Sequence, residues 1–135
     1  MRRTLYALVP AAAALALLVP FASPAAAVAP PGSELTLLWD RYDGVEAPHH
    51  LATLDCDDDP ATGQHPDAAG ACAALEAAGG EPGTLPDDGR TCPDVYDPVG
   101  GLIVGTWGGV DVFWSASFDN PCQMARFTAG VMDFE

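Results

Sequence analysis

Four cysteines, Cys56, Cys72, Cys92 and Cys122, constrain this chain more than any other feature. All lie beyond residue 27, and the first 27 residues read as an export address. Arg2 and Arg3 form a basic start, and Leu5 to Ala22 is apolar apart from Tyr6 and two prolines. Ala25-Ala26-Ala27 then supplies the small residues needed for cleavage after Ala27. The apolar run approaches the length of a membrane anchor, but Pro10, Pro20 and the small residues at the cut favour a cleaved signal. Residues 28–135 are then exported, with 28–33 as a Pro-rich mobile arm and 34–135 as one small domain. In an oxidising compartment an even number of cysteines reads as two disulfides. Three pairings are open. Sequential pairing closes two loops without entangling them, each contributing roughly 3–4 kcal/mol in the chain-entropy model. No C-x-x-C pair occurs and the histidines are badly spaced for zinc, so no metal or other cofactor is expected.

Charge narrows the partners. The exported part sets 19 acidic side chains against three arginines and no lysine, a formal charge of −16. Nucleic acids and anionic membrane surfaces are poor partners for such a chain, because binding phosphate requires cations. No later segment is apolar enough to cross a bilayer. A basic partner would be steered in quickly.

Apolar runs at Leu35–Trp39, Leu51–Cys56, Leu102–Val104, Val110–Ser117 and Gly130–Phe134 read as five short strands. Asp67 is placed as the N-cap of a helix over Ala68–Ala78, with Ala71, Cys72, Leu75 and Ala78 on one face and Gly79-Gly80 as the stop. Arg41–Pro48, Asp57–Gly63 and Glu81–Thr91 read as loops. Strands on both sides of a helix give an α+β domain of two layers: about five antiparallel strands, one or two short helices and two disulfides.

The octapeptide Cys92-Pro93-Asp94-Val95-Tyr96-Asp97-Pro98-Val99 has two prolines around four polar or exposed-looking positions. Proline fixes its own φ and biases the preceding residue towards extended backbone. A disulfide at Cys92 would anchor one end of this stiff loop. Such a segment can fill a protease cleft with little entropy loss, or it is a surface turn clamped by a disulfide.

These pieces together resemble the Streptomyces subtilisin inhibitor family. The resemblance is carried by Cys56, Gly63-Gln64-His65-Pro66, Ala71-Cys72-Ala73-Ala74-Leu75 with Gly79-Gly80, and the octapeptide. Gly105-x-Trp107-x-Gly109, Phe118-x-Asn120-x-Cys122 and Val131-x-x-Phe134 extend it to the C-terminus. It implies a secreted, homodimeric inhibitor of a serine endopeptidase, with a five-stranded sheet, two helices and the disulfides Cys56–Cys72 and Cys92–Cys122. It also implies a reactive bond Asp94–Val95, so that Asp94 is P1, the side chain entering the enzyme's specificity pocket. Val95 is then P1′ and Pro93, Cys92 and Thr91 are P2, P3 and P4, with Tyr96 completing the loop. Asn120 is positioned either to brace that loop or simply to form a turn beside Pro121.

An acidic P1 departs from the family's usual apolar or basic residue. Burying an ionised carboxylate without a partner costs several kcal/mol or forces protonation. Three readings follow: subtilisins tolerate it, an acid-specific serine protease matches it, or another face binds a different partner. A metalloprotease or a transglutaminase, the latter using Gln64 or Gln123, stands for that last case. Asp55-x-Asp57-x-Asp59 starts like a calcium loop, but Pro60 occupies the glycine position and no glutamate closes it. His49, His50 and His65 show no catalytic pattern, no G-x-S-x-G occurs, and enzyme activity is not expected.

Overall fold

A computed structural model describes residues 32–42 and 49–135. The expected signal segment, positions 28–31 of the expected arm and most of the Arg41–Pro48 loop lie outside the described residues. Strand β1 (Glu34–Arg41) pairs on one side with β2 (His50–Asp55) and on the other with β4 (Val99–Trp107). The short β3 (Thr62–Gly63) extends the β2 edge, and β5 (Val110–Phe118) extends the β4 edge. The sheet is fully antiparallel, in the order β3-β2-β1-β4-β5. A single-turn 3-10 helix, Pro82–Thr84, and two α-helices, α1 (Ala68–Ala77) and α2 (Pro121–Phe127), complete it.

Alternation decides which face is buried. Leu35, Leu37 and Trp39 on β1, Ala52 and Leu54 on β2, and Val99 and Ile103 on β4 all point to one side and are buried. Helix α1 covers β2 and β3 with Ala71, Cys72 and Leu75, while α2 covers β4 and β5 with Met124 and Ala125. Each large core side chain stabilises the fold by about 1.5–3 kcal/mol relative to exposure. The β4–β5 turn is a two-residue hairpin loop, Gly108 (φ 56°) and Gly109 (φ 79°), both in the left-handed region that such a turn demands. Gly105 has φ 145°, and a Cβ there would lie 2.1 Å from the Glu34 carbonyl oxygen. The Gly105-x-Trp107-x-Gly109 motif is therefore a backbone requirement of this hairpin and its packing on β1.

Helix α1 begins where expected, with the Asp67 carboxylate accepting from the Gly70 N–H at 3.0 Å. It ends as a Schellman motif, Gly80 N–H donating to the Leu75 carbonyl at 2.8 Å. Three expectations from the residue pattern fail. Gly130–Phe134 is not a strand but turn and irregular chain, because Ala129 (φ 49°) and Gly130 (φ 82°) close α2 in another Schellman motif and reverse the backbone. Its apolar residues Val131, Met132 and Phe134 are buried all the same, and the Trp39 indole N–H donates to the Phe134 carbonyl at 2.8 Å. The fifth strand is β3, inside the stretch read as a polar turn. Ser33, read as part of a mobile arm, is buried: its N–H donates to Asp57 at 2.8 Å and its carbonyl accepts from Cys56 N–H at 2.9 Å.

Disulfide Cys56–Cys72 ties the end of β2 to α1, and Cys92–Cys122 ties the chain before β4 to the first turn of α2. Because Cys56–Cys72 spans 16 residues, its removal by Cys56→Ala with Cys72→Ala is expected to lower unfolding free energy by about 3 kcal/mol. Urea unfolding of the double variant measures this, and an unchanged midpoint would refute it.

Candidate functional site

Thr91 to Pro98 contains no helix or strand, and β4 begins immediately after it at Val99. The two prolines favour extended backbone in this segment, and three separate attachments hold it. Cys92 is bonded to Cys122 at the N-terminal leg. Asn120, buried to 3% exposure, sits behind the middle: its Nδ2 donates to the Val95 carbonyl at 2.9 Å and to the Pro93 carbonyl at 3.4 Å. Its Oδ1 accepts from the Gln123 N–H at 2.9 Å and so caps α2, with Pro121 in the first turn where its missing N–H costs nothing. At the C-terminal leg the Asp97 N–H donates to the Asp119 carbonyl and the Tyr42 N–H to the Pro98 carbonyl, both at 2.8 Å. Arg41 also forms an ion pair with Asp97.

Held in this way, Asp94, Val95 and Tyr96 project into solvent, Val95 at 55% and Tyr96 at 79% exposure. Among the described residues their backbone N–H groups have no protein acceptor, and the Asp94 carboxylate has no hydrogen bond or ion pair. The segment offers main-chain donors and three side chains to a partner, in a conformation already fixed.

The chain leading into the loop is tied by charge. Arg126 meets Asp87 in a two-pronged pair at 2.7 Å for both bonds. Arg90 bridges Asp88 at 2.8 Å and Asp133 at 2.7 Å. The Arg126 guanidinium, helped by the Gly89 N–H, holds the Asp87 carboxyl below the ordinary carboxylate range. The hydrogen bond from Arg90 does the same for Asp88 against its slight burial. Both folded values lie below the unfolded ones. The stability they supply is thus present above about pH 4 and lost as pH falls through the lowered values. These pairs are exposed, so each is a modest, salt-sensitive contribution. The residue pattern did not reveal Arg126–Asp87, Arg90–Asp133 or Arg41–Asp97, since each joins positions dozens of residues apart.

The other candidates have structural occupations. His65 is buried, its Nε2–H donating to the Val131 carbonyl at 3.1 Å while Nδ1 accepts from the Asp67 N–H at 3.0 Å. His50 stacks on Trp39 at 3.7 Å, and His49 contacts Asp40 at 2.6 Å, so the histidines do not converge. Asp57 accepts from Ser33 and Asp58 from the Thr62 hydroxyl at 2.7 Å. Trp107 and Trp114 pack against the core.

A family model described as subtilisin inhibitor-like matches residues 32–120. The chain is 37% identical over 120 residues to the subtilisin inhibitor of Streptomyces albogriseolus, covering 88% of this chain and 83% of that one. It is 35% identical over 120 residues to a trypsin inhibitor of Streptomyces longisporus, with the same 88% and 83% covered. Its structure is similar to that of Streptomyces caespitosus sermetstatin, solved in complex with Bacillus licheniformis subtilisin. There the TM-score is 0.54 at 29% identity, covering 73% of this chain and 94% of that chain.

The two duties of Asn120 can be separated. Asn120→Asp keeps the acceptor that caps α2 but loses the donor to both loop carbonyls; Asn120→Ala loses everything. The aspartate variant is expected to lose at least as much stability as the alanine variant, because its second carboxylate oxygen is buried against the two loop carbonyls. Both should show backbone order parameters at residues 94–96 dropping from about 0.85 towards 0.6. Rigid loops in both variants would refute the brace.

Proposed function

The chain belongs to the subtilisin inhibitor-like family, and we propose that it is a secreted, extracellular inhibitor of a subtilisin-like serine endopeptidase, bound as a substrate mimic across the Asp94–Val95 bond. One observation carries this reading. The exposed bond lies between two carbonyls, of Pro93 and Val95, that accept from the same buried amide of Asn120, and both loop legs are tied down beyond it.

The free N–H groups of the loop pair with an enzyme strand edge, and the rigid backbone loses little entropy in doing so. The enzyme's serine oxygen attacks the Asp94 carbonyl carbon, and its proton passes to the catalytic histidine. The developing oxyanion is held by fixed donors. Expulsion of the Val95 amine would complete a cut, but the amine is not released into solution. Cys92–Cys122 retains the N-terminal half, while the hydrogen bonds to Val95, Asp97 and Pro98 retain the other half. The amine stays beside the acyl carbon, so religation competes with attack by water. A flexible peptide of the same sequence lacks this protection.

The active species in this proposal is a homodimer. The sheet face opposite the helices carries Leu51, Leu38 and Leu102 in one cross-strand row, with Val104 and Phe113 in the next. Leu51 is 51% exposed and Phe113 78%, and charged residues on this face lie only towards the strand ends. A second copy would cover the strip and leave the loop free. With sixteen excess negative charges per exported chain, such pairing is opposed by repulsion that salt screens.

Titrating subtilisin with the exported chain is expected to give inhibition in proportion to inhibitor, with the recovered protein intact or cut only between Asp94 and Val95 by mass. Rapid cleavage elsewhere would refute the mechanism. In sedimentation, the protein is expected to run as a dimer that tightens with salt, and Phe113→Asp to shift it to monomer without loss of inhibition per chain. A wild-type monomer at tens of micromolar would refute the pairing.

A further inference from the structure

We propose that the preferred target has a fixed positive charge in its P1 pocket, making it an endopeptidase that cleaves after acidic residues, and that Asp94 determines this preference. The inference rests on the substrate-like reading above. The octapeptide holds two carboxylates, and the fold treats them differently. Asp97 is given a counter-ion, Arg41, and its backbone N–H is bonded to Asp119. Among the described residues Asp94, three positions away, has neither.

That contrast is sharpened by how few cations exist. The exported part has three, and each is committed: Arg41 to Asp97, Arg90 to Asp88 and Asp133, and Arg126 to Asp87. None reaches Asp94. When Asp94 leaves water on binding, it therefore carries a charge that only the partner can match. In an apolar pocket nothing does, and in a pocket holding a carboxylate the mismatch is worse. The main chain on both sides of Asp94 is held by Asn120 through the Pro93 and Val95 carbonyls, so the point from which its carboxylate enters a pocket is fixed. The remaining surface agrees in sign, since an excess of sixteen negative charges favours approach to a positively charged cleft.

The test compares wild type, Asp94→Met and Asp94→Asn against two probes, a glutamate-specific serine endopeptidase and subtilisin. Asp94 is exposed and has no hydrogen bond or ion pair among the described residues, so unchanged melting temperatures serve as the folding control. Wild type is expected to inhibit the glutamate-specific enzyme at least a hundredfold more tightly than subtilisin. Asp94→Met should reverse that order, gaining about a hundredfold or more on subtilisin, while Asp94→Asn should lose the acid-specific enzyme. If wild type and Asp94→Met inhibit subtilisin equally, or wild type fails against the glutamate-specific enzyme, the proposal is overturned. Cutting confined to the 94–95 bond in that case leaves the substrate-like reading standing. If no variant alters binding to either enzyme and no cut occurs at that bond, both fall together.

Discussion

At Asn120 a single carboxamide divides its capacity between two jobs on opposite sides of the chain. Its oxygen caps the helix that covers β4 and β5, and its nitrogen holds the carbonyls of Pro93 and Val95. The group is buried with its polar atoms satisfied, so neither job can be dropped without leaving an unpaired donor or acceptor. The loop is thereby coupled to the hydrophobic core through α2, and Cys122 in the same helix repeats the coupling covalently. An exposed eight-residue segment without secondary structure inherits the rigidity of the layer behind it.

The same economy governs charge. In a chain with 19 acidic side chains beyond residue 27, all three arginines of that part lie around this one loop. Arg41 holds the leg leaving it, while Arg90 and Arg126 hold the leg entering it to α2 and to the C-terminal segment. Exposed pairs stabilise little individually. Their effect here is positional: they fix the angles at which the two legs meet the sheet. Acid or high salt therefore loosens the approach to the loop while the disulfide and the asparagine still hold its centre.

Much of the scaffold was legible in the residues. The alternation in β1 and β2, and the capped alanine-rich face of α1, are local patterns whose period survives in the fold. Strands β4 and β5 were placed but cut short, because Gly100, Gly101 and Gly105 hide the period of β4. Helix α2 is seven residues long, too short for a period, although the Asn120-Pro121 start was in view. Two-residue β3 had no pattern to show, and Val131 to Phe134 imitated a strand while packing as irregular chain under Trp39. At the site, prolines and cysteine marked the loop, whereas its support is non-local. Asn120 reaches back 25 residues to Val95 and Arg41 reaches forward 56 to Asp97. Contacts at such separations are set by topology, and local spacing carries no trace of them.

The isolation of the Asp94 side chain has an evolutionary corollary. Most residues that matter for function also pack or hydrogen-bond within the fold, so altering them exchanges stability for activity. At the proposed P1 position that exchange is absent, because among the described residues the side chain has no hydrogen-bond or ion-pair partner to lose. Its effect on stability should be nearly additive with changes elsewhere. A lineage built on this scaffold can change the enzyme it answers to by single substitutions at one site, without first accumulating stabilising changes in the core.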